Sequence, residues 1–486
     1  MIFTQLFANN CNLLFVYVII LKRYKILSTE KTKKTKTKNT NKKSAKTQKF
    51  SSNVDISKLK KDKENLQTKR YREYIMNKVE EFNNNGKHTI VYFCDTFYPI
   101  IDGVIKVMDN YATLLNGKYN IVVIVPKHKN IVIKKDYLVI GVSSLYFKFV
   151  NYDLAFPEID SFLAQVIKKL KIDIVHAHSP FNMGSYASKV AKKKKVPFVI
   201  TMHSQFKLDF MKHTNSEAMT NYLLKQIVKV FSKADEVWTM HEKVADVLKS
   251  YGYKKDRFYF VPNATEYEKP DNIEQMRQIV NQKYNLDENC FVMLFVGRIV
   301  KQKNVLFIAD CLKKVKDANI NFKMFFVGDG PDEASLKSHI KKLGLEKDTI
   351  LTGKIADRKE LSTILARSDL FVFPSIYDTS SLVQIEAATF KTPSIVIENT
   401  ATAQTITNNV NGFTTAFDEN QFAGKIIELA KQPEYVKKVG EKAHEDLYKN
   451  WKQVAQIASD RYEFLIKQNK NKQAKLLAIK NAKIFK

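Results

Sequence analysis

The sequence predicts an α/β protein of two doubly wound, Rossmann-like domains facing a cleft, preceded by a disordered basic linker. Three observations carry this. The chain has 486 residues, beyond the size at which one hydrophobic core stops growing. Short apolar runs alternate with helical periods, the mark of buried parallel strands joined by crossover helices. Midway along, that alternation starts again. A hydrophobic share of 44% with only 14 Gly and 11 Pro suffices for packed cores and excludes a wholly disordered or collagenous chain. The four cysteines, Cys11, Cys94, Cys290 and Cys311, form no C-x-x-C pair. This argues against a disulfide scaffold or structural zinc and fits a reducing compartment.

Residues 1–25 open the chain. The first 21 are uncharged, with apolar residues dense from 13 to 21, and Lys22, Arg23 and Lys25 follow at once. The length approaches that of a membrane-spanning helix, but Thr4, Gln5, Asn9, Asn10 and Asn12 weaken it. No basic residue precedes the apolar run and no small-residue cleavage site closes it, which disfavours a signal peptide. An anchor with its basic flank in the cytoplasm and a plain upstream extension remain the two readings. Residues 26–86 read as a basic, structureless linker, Lys/Thr/Asn-rich from 31 to 63.

An N-terminal domain is expected over 87–265, with strands at 89–94, 121–125, 137–142, 172–176, 198–202, 236–240 and 258–261. A C-terminal domain is expected over 266–440, with strands at 291–296, 323–327, 349–351, 370–373 and 394–397. Helices separate the latter at 305–316, 332–343 and 358–367. The remainder, 441–486, reads as helices with Trp451 and Tyr462 in the core, then a basic tail.

The net charge of +30 is uneven: residues 22–75 carry +14 and 464–486 carry +7, leaving +9 for the body. Only 9 of the 80 basic residues are Arg, whereas base and phosphate readout favours Arg forks. With no RNA-binding aromatic motif or recognition module, a nucleic-acid partner is disfavoured. Solubilising tails and a diffuse attraction to anionic membranes both remain open.

Ligands of open α/β sheets sit beyond the carboxyl ends of the strands, so the chemistry is sought just after each strand. There is no P-loop, and Gly328-Asp329-Gly330 has Glu333 in place of a third glycine, which argues against a nicotinamide or flavin enzyme. No Asp-x-Asp pair exists to hold a metal-bound nucleotide. In Asp95-Thr-Phe-Tyr-Pro-Ile-Ile-Asp102-Gly103, the glycine opens a helix where a phosphate can approach backbone amides, or forms a plain strand-to-helix turn. Gly297-Arg298-Ile-Val-Lys301-Gln-Lys303 gathers cations before a helix, as a diphosphate requires, or is a solvated loop. In the stretch from Asp378 to Glu386 two acids lie eight residues apart across a loop entering a helix. Its amides, through Ser381, Leu382 and Val383, suit a phosphate or sugar hydroxyls, and a carboxylate can accept two ribose hydroxyls. An N-terminal acid and a solvated helix face is the plainer alternative. His176 and His178, in Val175-His-Ala-His-Ser, fall short of a metal site's ligand count, so no metal is expected.

Together these segments resemble the retaining glycosyltransferases of family 4, which have the GT-B fold, over about 87–465. In that family an E-x7-E pair marks the donor site. The resemblance implies that Glu386 binds the ribose, Asp378 the transferred sugar, Arg298 and Lys303 the diphosphate, and Gly103 the phosphate from the N-terminal domain. It places His203, in Thr201-Met-His-Ser204, near the reacting anomeric carbon, and makes His241 a helix-cap residue where the family often has Ser. Asp378 departs from the usual first Glu, and Asp102 from an Asn that often precedes the glycine. Within the family the resemblance is nearest to bacterial diacylglycerol glucosyltransferases, through 201–210, 378–388 and 145–157, where Tyr146, Phe147, Phe149 and Tyr152 mix with Lys148. It implies a UDP-glucose-type donor, no cofactor, a diacylglycerol-type lipid acceptor, and a peripheral place on the anionic cytoplasmic face of the membrane. A polysaccharide or other soluble acceptor is the alternative.

Overall fold

Apolar runs of three to seven residues become the strands of two parallel sheets. The computed structural model describes residues 66–484 except 101, 128–133, 148–151, 377, 379 and 380. The first half forms β1 (Thr89–Phe93), β2 (Asn120–Pro126), β3 (Leu138–Val142), β4 (Ser144–Phe147), β5 (Tyr152–Ala155), β6 (Ile174–Ala177), β7 (Phe198–Thr201), β8 (Glu236–Thr239) and β9 (Phe258–Phe260). Seven of these make a sheet in the order β3-β2-β1-β6-β7-β8-β9, and β4 and β5 pair antiparallel beside it in sequence. Every residue of β1 and β2 is buried, which explains their unbroken Val/Ile runs: crossover helices cover both faces of a parallel sheet.

The second half forms β10 (Phe291–Val296), β11 (Phe322–Val327), β12 (Thr349–Gly353), β13 (Leu370–Phe373), β14 (Ser394–Ile397) and β15 (Phe413–Thr415), ordered β12-β11-β10-β13-β14-β15 and parallel throughout. In each sheet the order reverses beside the first strand, at β1 and at β10. Such switch points are where open α/β sheets leave a crevice for ligands. The loops leaving β1 and β10 are two of the three singled out in the sequence; the third, carrying Asp378, leaves β13, the neighbour of β10.

Several elements differ from expectation, and β4 and β5 are not among the expected strands. The expected linker over 26–86 is a helix from Leu66 to Asn84, with Ile75 and Val79 fully buried. The Tyr71 hydroxyl donates to the Val139 carbonyl and accepts from the Gly141 amide, both at 3.3 Å, on edge strand β3. Two buried apolar positions four apart leave a trace too faint to read among so many charges. Residues 1–65, with the expected anchor and most of the linker, lie outside the described residues. The strand β15 has three residues, too few for a periodic signal. The expected basic tail continues the helix Trp451–Ile484 to its end. The side chains of Tyr146, Phe147, Lys148, Phe149 and Tyr152, expected to face a membrane, also lie outside the described residues.

Trp451 and Tyr462 are buried, as expected. Tyr462 stacks on Trp238 of β8 at 5.1 Å, while Arg461 forks onto Glu236, which also accepts from the Trp238 indole at 3.1 Å. Leu465 and Ile466 extend this apolar seam, each contributing roughly 1.5–3 kcal/mol by burial. By proximity the chain divides into two compact units, and one of them, comprising 101–115, 199–209 and 231–486, holds all nine candidate site residues.

Candidate active site

The loop after β10 is locked to the loop after β11. The Gly297 amide donates to the Val327 carbonyl at 2.9 Å, Ile299 to Asp329 at 2.8 Å, and Lys301 to the Asp332 carboxylate at 2.8 Å. A Cβ on Gly328 would lie 1.9 Å from the Gly297 oxygen, and one on Gly330 2.2 Å from that of Ile299. The glycines of Gly328-Asp329-Gly330 therefore serve this close approach of two loops. The loop presents Arg298 to solvent and turns through Lys301–Lys303 into Asn304, which is left-handed at φ 57°. The Asn304 side chain donates to the Pro374 carbonyl at 2.7 Å, fastening the loop to the end of β13.

That fastening brings two of the expected ligands together. Lys303 Nζ donates to Asp378 Oδ1 at 2.5 Å and to Oδ2 at 2.6 Å, with both side chains one-fifth exposed. The buried Ser375 hydroxyl donates to Asp378 Oδ2 at 2.5 Å, and Lys303 also sits 5.1 Å from the Phe373 ring centre. Gln205, two residues after His203, donates to the Asp378 carbonyl at 3.3 Å. The expected phosphate cation and sugar carboxylate thus hold each other.

Ser381 caps the helix Leu382–Thr389, its hydroxyl accepting from the Gln384 amide at 3.3 Å. Leu382 and Val383 form the first turn, where backbone N–H groups have no carbonyl partner within the helix and the dipole favours an anion. Glu386, one turn on, is 7% exposed and accepts from Arg358 Nη2 at 3.3 Å. The Arg358 guanidinium lies 4.2 Å from the Tyr267 ring centre and pairs with Glu266 at 3.4 Å. Burial, and then the Glu386 charge, push the Tyr267 phenol well above its usual range. Arg358, Ser375 and Gln205 were not singled out from the sequence. Arg358 stands 28 residues before Glu386 and carries no spacing signal; it read only as a helix start.

Gly103 opens the helix Gly103–Leu115. Asp102 accepts from the Ile105 amide at 2.8 Å, and burial raises its carboxyl above the usual range. A Cβ on Gly103 would meet no atom within 4 Å, so the fold itself does not require glycine there. His203 is half-buried, and desolvation pushes its pKa down to about 3. It is therefore neutral at ordinary pH. The His176 and His178 rings stack at 4.3 Å in the core with Tyr92 edge-on to both, a packing role. His241 occupies the N-cap of Glu242–Ser250 without a side-chain cap bond. Among the described residues no three His, Cys, Asp or Glu side chains gather as a metal site would need.

Two family models match the chain: "Glycosyltransferase Family 4" over residues 101–269 and "Glycosyl transferases group 1" over 276–446. The alpha-monoglucosyldiacylglycerol synthase of Streptococcus pneumoniae is 24% identical over 343 residues, 69% of this chain and 77% of that protein. The enzyme of the same name from Acholeplasma laidlawii is 26% identical over 279 residues, 55% of this chain and 69% of that protein. Among solved structures, Anabaena HepE in complex with UDP and glucose matches with a TM-score of 0.60 at 14% identity, over 78% of this chain and 99% of that one.

Proposed function

Because the chain belongs to the family 4 glycosyltransferases and has the GT-B fold, we propose that it moves glucose from UDP-glucose to a diacylglycerol-type membrane lipid with retention of configuration. The observation that carries this reading is its likeness, along 69% of its length, to an alpha-monoglucosyldiacylglycerol synthase. The work takes place peripherally, on the anionic cytoplasmic face of a membrane.

In this reading Glu386 accepts the two ribose hydroxyls, oriented by Arg358. The diphosphate lies against Arg298, Lys303, the amides of Ser381, Leu382 and Val383, and the helix end at Gly103. A lysine has three N–H donors, so Lys303 can bind phosphate while still holding Asp378. Asp378, steadied by Ser375, then accepts from hydroxyls of the sugar. As the bond from the anomeric carbon to phosphate breaks, negative charge grows on the leaving diphosphate, where preorganised cations and amides stabilise it most. The lipid hydroxyl bonds to the anomeric carbon from the same face, and its proton passes to a donor phosphate oxygen. His203 is a neutral hydrogen-bonding neighbour of that carbon. The chain has no Asp-x-Asp pair, so no metal is assigned to the diphosphate.

The test is incubation with glucose-labelled UDP-glucose and a mixture of diacylglycerol and soluble glycans. Label extracting into organic solvent supports the reading. Label found only on a water-soluble acceptor overturns it in favour of a polysaccharide transferase.

A further inference from the structure

The helix Trp451–Ile484 changes character along its length. To Ile466 it has a buried seam of Val454, Ala458, Tyr462 and Leu465. At helical spacing that seam reaches Leu476 and Leu477, yet these are 57% and 60% exposed, and Ile479 is 55% exposed. Around them stand Lys467, Lys470, Lys472 and Lys475, all exposed. From 464 to 486 there are seven lysines and no acidic residue. Seven like charges would drive a helix apart from a second copy of itself, and exposed leucines gain nothing from water.

We infer that this segment is a membrane-docking helix whose occupant is the surface of an anionic bilayer. Its leucines and isoleucine enter the boundary between headgroups and acyl chains, while the lysines keep their ammonium groups among the lipid phosphates and their methylenes along the apolar layer. No helix among the described residues is long and apolar enough to cross a membrane, so this one lies on the surface. Lysine suits the task, since it meets lipid phosphates as a flexible point charge without requiring fork geometry. The inference deepens the proposed function by giving a lipid-acting enzyme its attachment, and it rests on that reading.

The experiment uses two full-length variants altered only at exposed side chains: Leu476→Ser/Leu477→Ser/Ile479→Ser, and Lys467→Gln/Lys470→Gln/Lys472→Gln/Lys475→Gln. Cosedimentation is measured with vesicles of phosphatidylglycerol and phosphatidylcholine in equal parts, with vesicles of phosphatidylcholine alone, and across a salt series. The unaltered chain should bind the anionic vesicles, less so as salt rises. The Lys variant should lose affinity by on the order of a hundredfold or more, given the usual contribution of each cation near an anionic surface. The Leu/Ile variant should lose at least about tenfold. Full retention by either variant overturns the inference, as does tighter binding of the unaltered chain to RNA than to anionic vesicles. Transfer to diacylglycerol in detergent micelles, which needs no docking, reads the proposed function separately: both variants should keep it, and its absence from the unaltered chain would count against that function alone.

Discussion

At the residue scale the proposed donor site is tested most sharply at Glu386 and Gly103. Glu386 is a buried carboxylate held by one guanidinium contact, and it retains capacity to accept further hydrogen bonds. Glu386→Gln should reduce kcat/KM for the donor about ten- to a hundredfold, the worth of a charge-assisted hydrogen bond, while still melting in one cooperative transition. Steady-state kinetics beside a melting curve check it, and undiminished turnover would remove Glu386 from the donor site. Gly103 offers a cleaner separation of fold from ligand. Its Cβ position is open and its backbone unstrained, so Gly103→Ala should fold with equal or slightly greater stability while raising KM for the donor several-fold. An unaffected KM in a well-folded Gly103→Ala variant would show that no phosphate approaches this helix end.

At the element scale the N-terminus of Asn182–Lys194 holds a buried acid with a measurable consequence. Asp95 accepts from the Ser179 hydroxyl at 2.6 Å and the Met183 amide at 3.0 Å, yet burial outweighs these bonds and pushes its pKa up to about 6. A carboxyl whose folded pKa is raised contributes stability that is full below its unfolded value, near 3.8, and is lost as pH rises through about 6. The stability of the natural chain minus that of Asp95→Asn should therefore decline between pH 4 and 7, by an amount of order 3 kcal/mol. His203 acts with the opposite sign: its lowered pKa makes stability fall as pH drops below about 6.5, but it is common to both chains and cancels in the difference. Melting curves across that range test the slope, and a flat difference would mean that Asp95 is not desolvated.

Elements also show what the sequence could and could not reveal. Strands buried on both faces announce themselves as apolar runs, so β1, β2 and β10 were legible almost to the residue. The helix Leu66–Asn84 was not, because it meets the sheet edge through the Tyr71 hydroxyl and buries only two aliphatics amid charge. In the site, the acid pair and the cations stood in recognisable local order. Their connections run through Ser375, Arg358 and Asn304, whose partners are distant in sequence or serve ordinary turn geometry. Only folding makes Lys303 and Asp378, 75 residues apart, a single ion pair.

At the scale of the whole molecule, the proposed glucosyl transfer to lipid neutralises its leaving group with Arg298, Lys303 and backbone amides. Activity should then persist in excess EDTA, and Arg298→Ala should raise the donor KM at least tenfold without altering the melting curve, since Arg298 is solvent-exposed. Loss of activity on chelation, restored specifically by manganese, would contradict that electrostatic scheme. The most direct measurement is proton NMR of the purified product formed from UDP-glucose and dioleoylglycerol. One glucosyl residue on the glycerol hydroxyl with the small anomeric coupling of an α linkage, retained from the donor, is expected; a β linkage, or no glycolipid while a soluble acceptor is glycosylated, would overturn the proposed transfer.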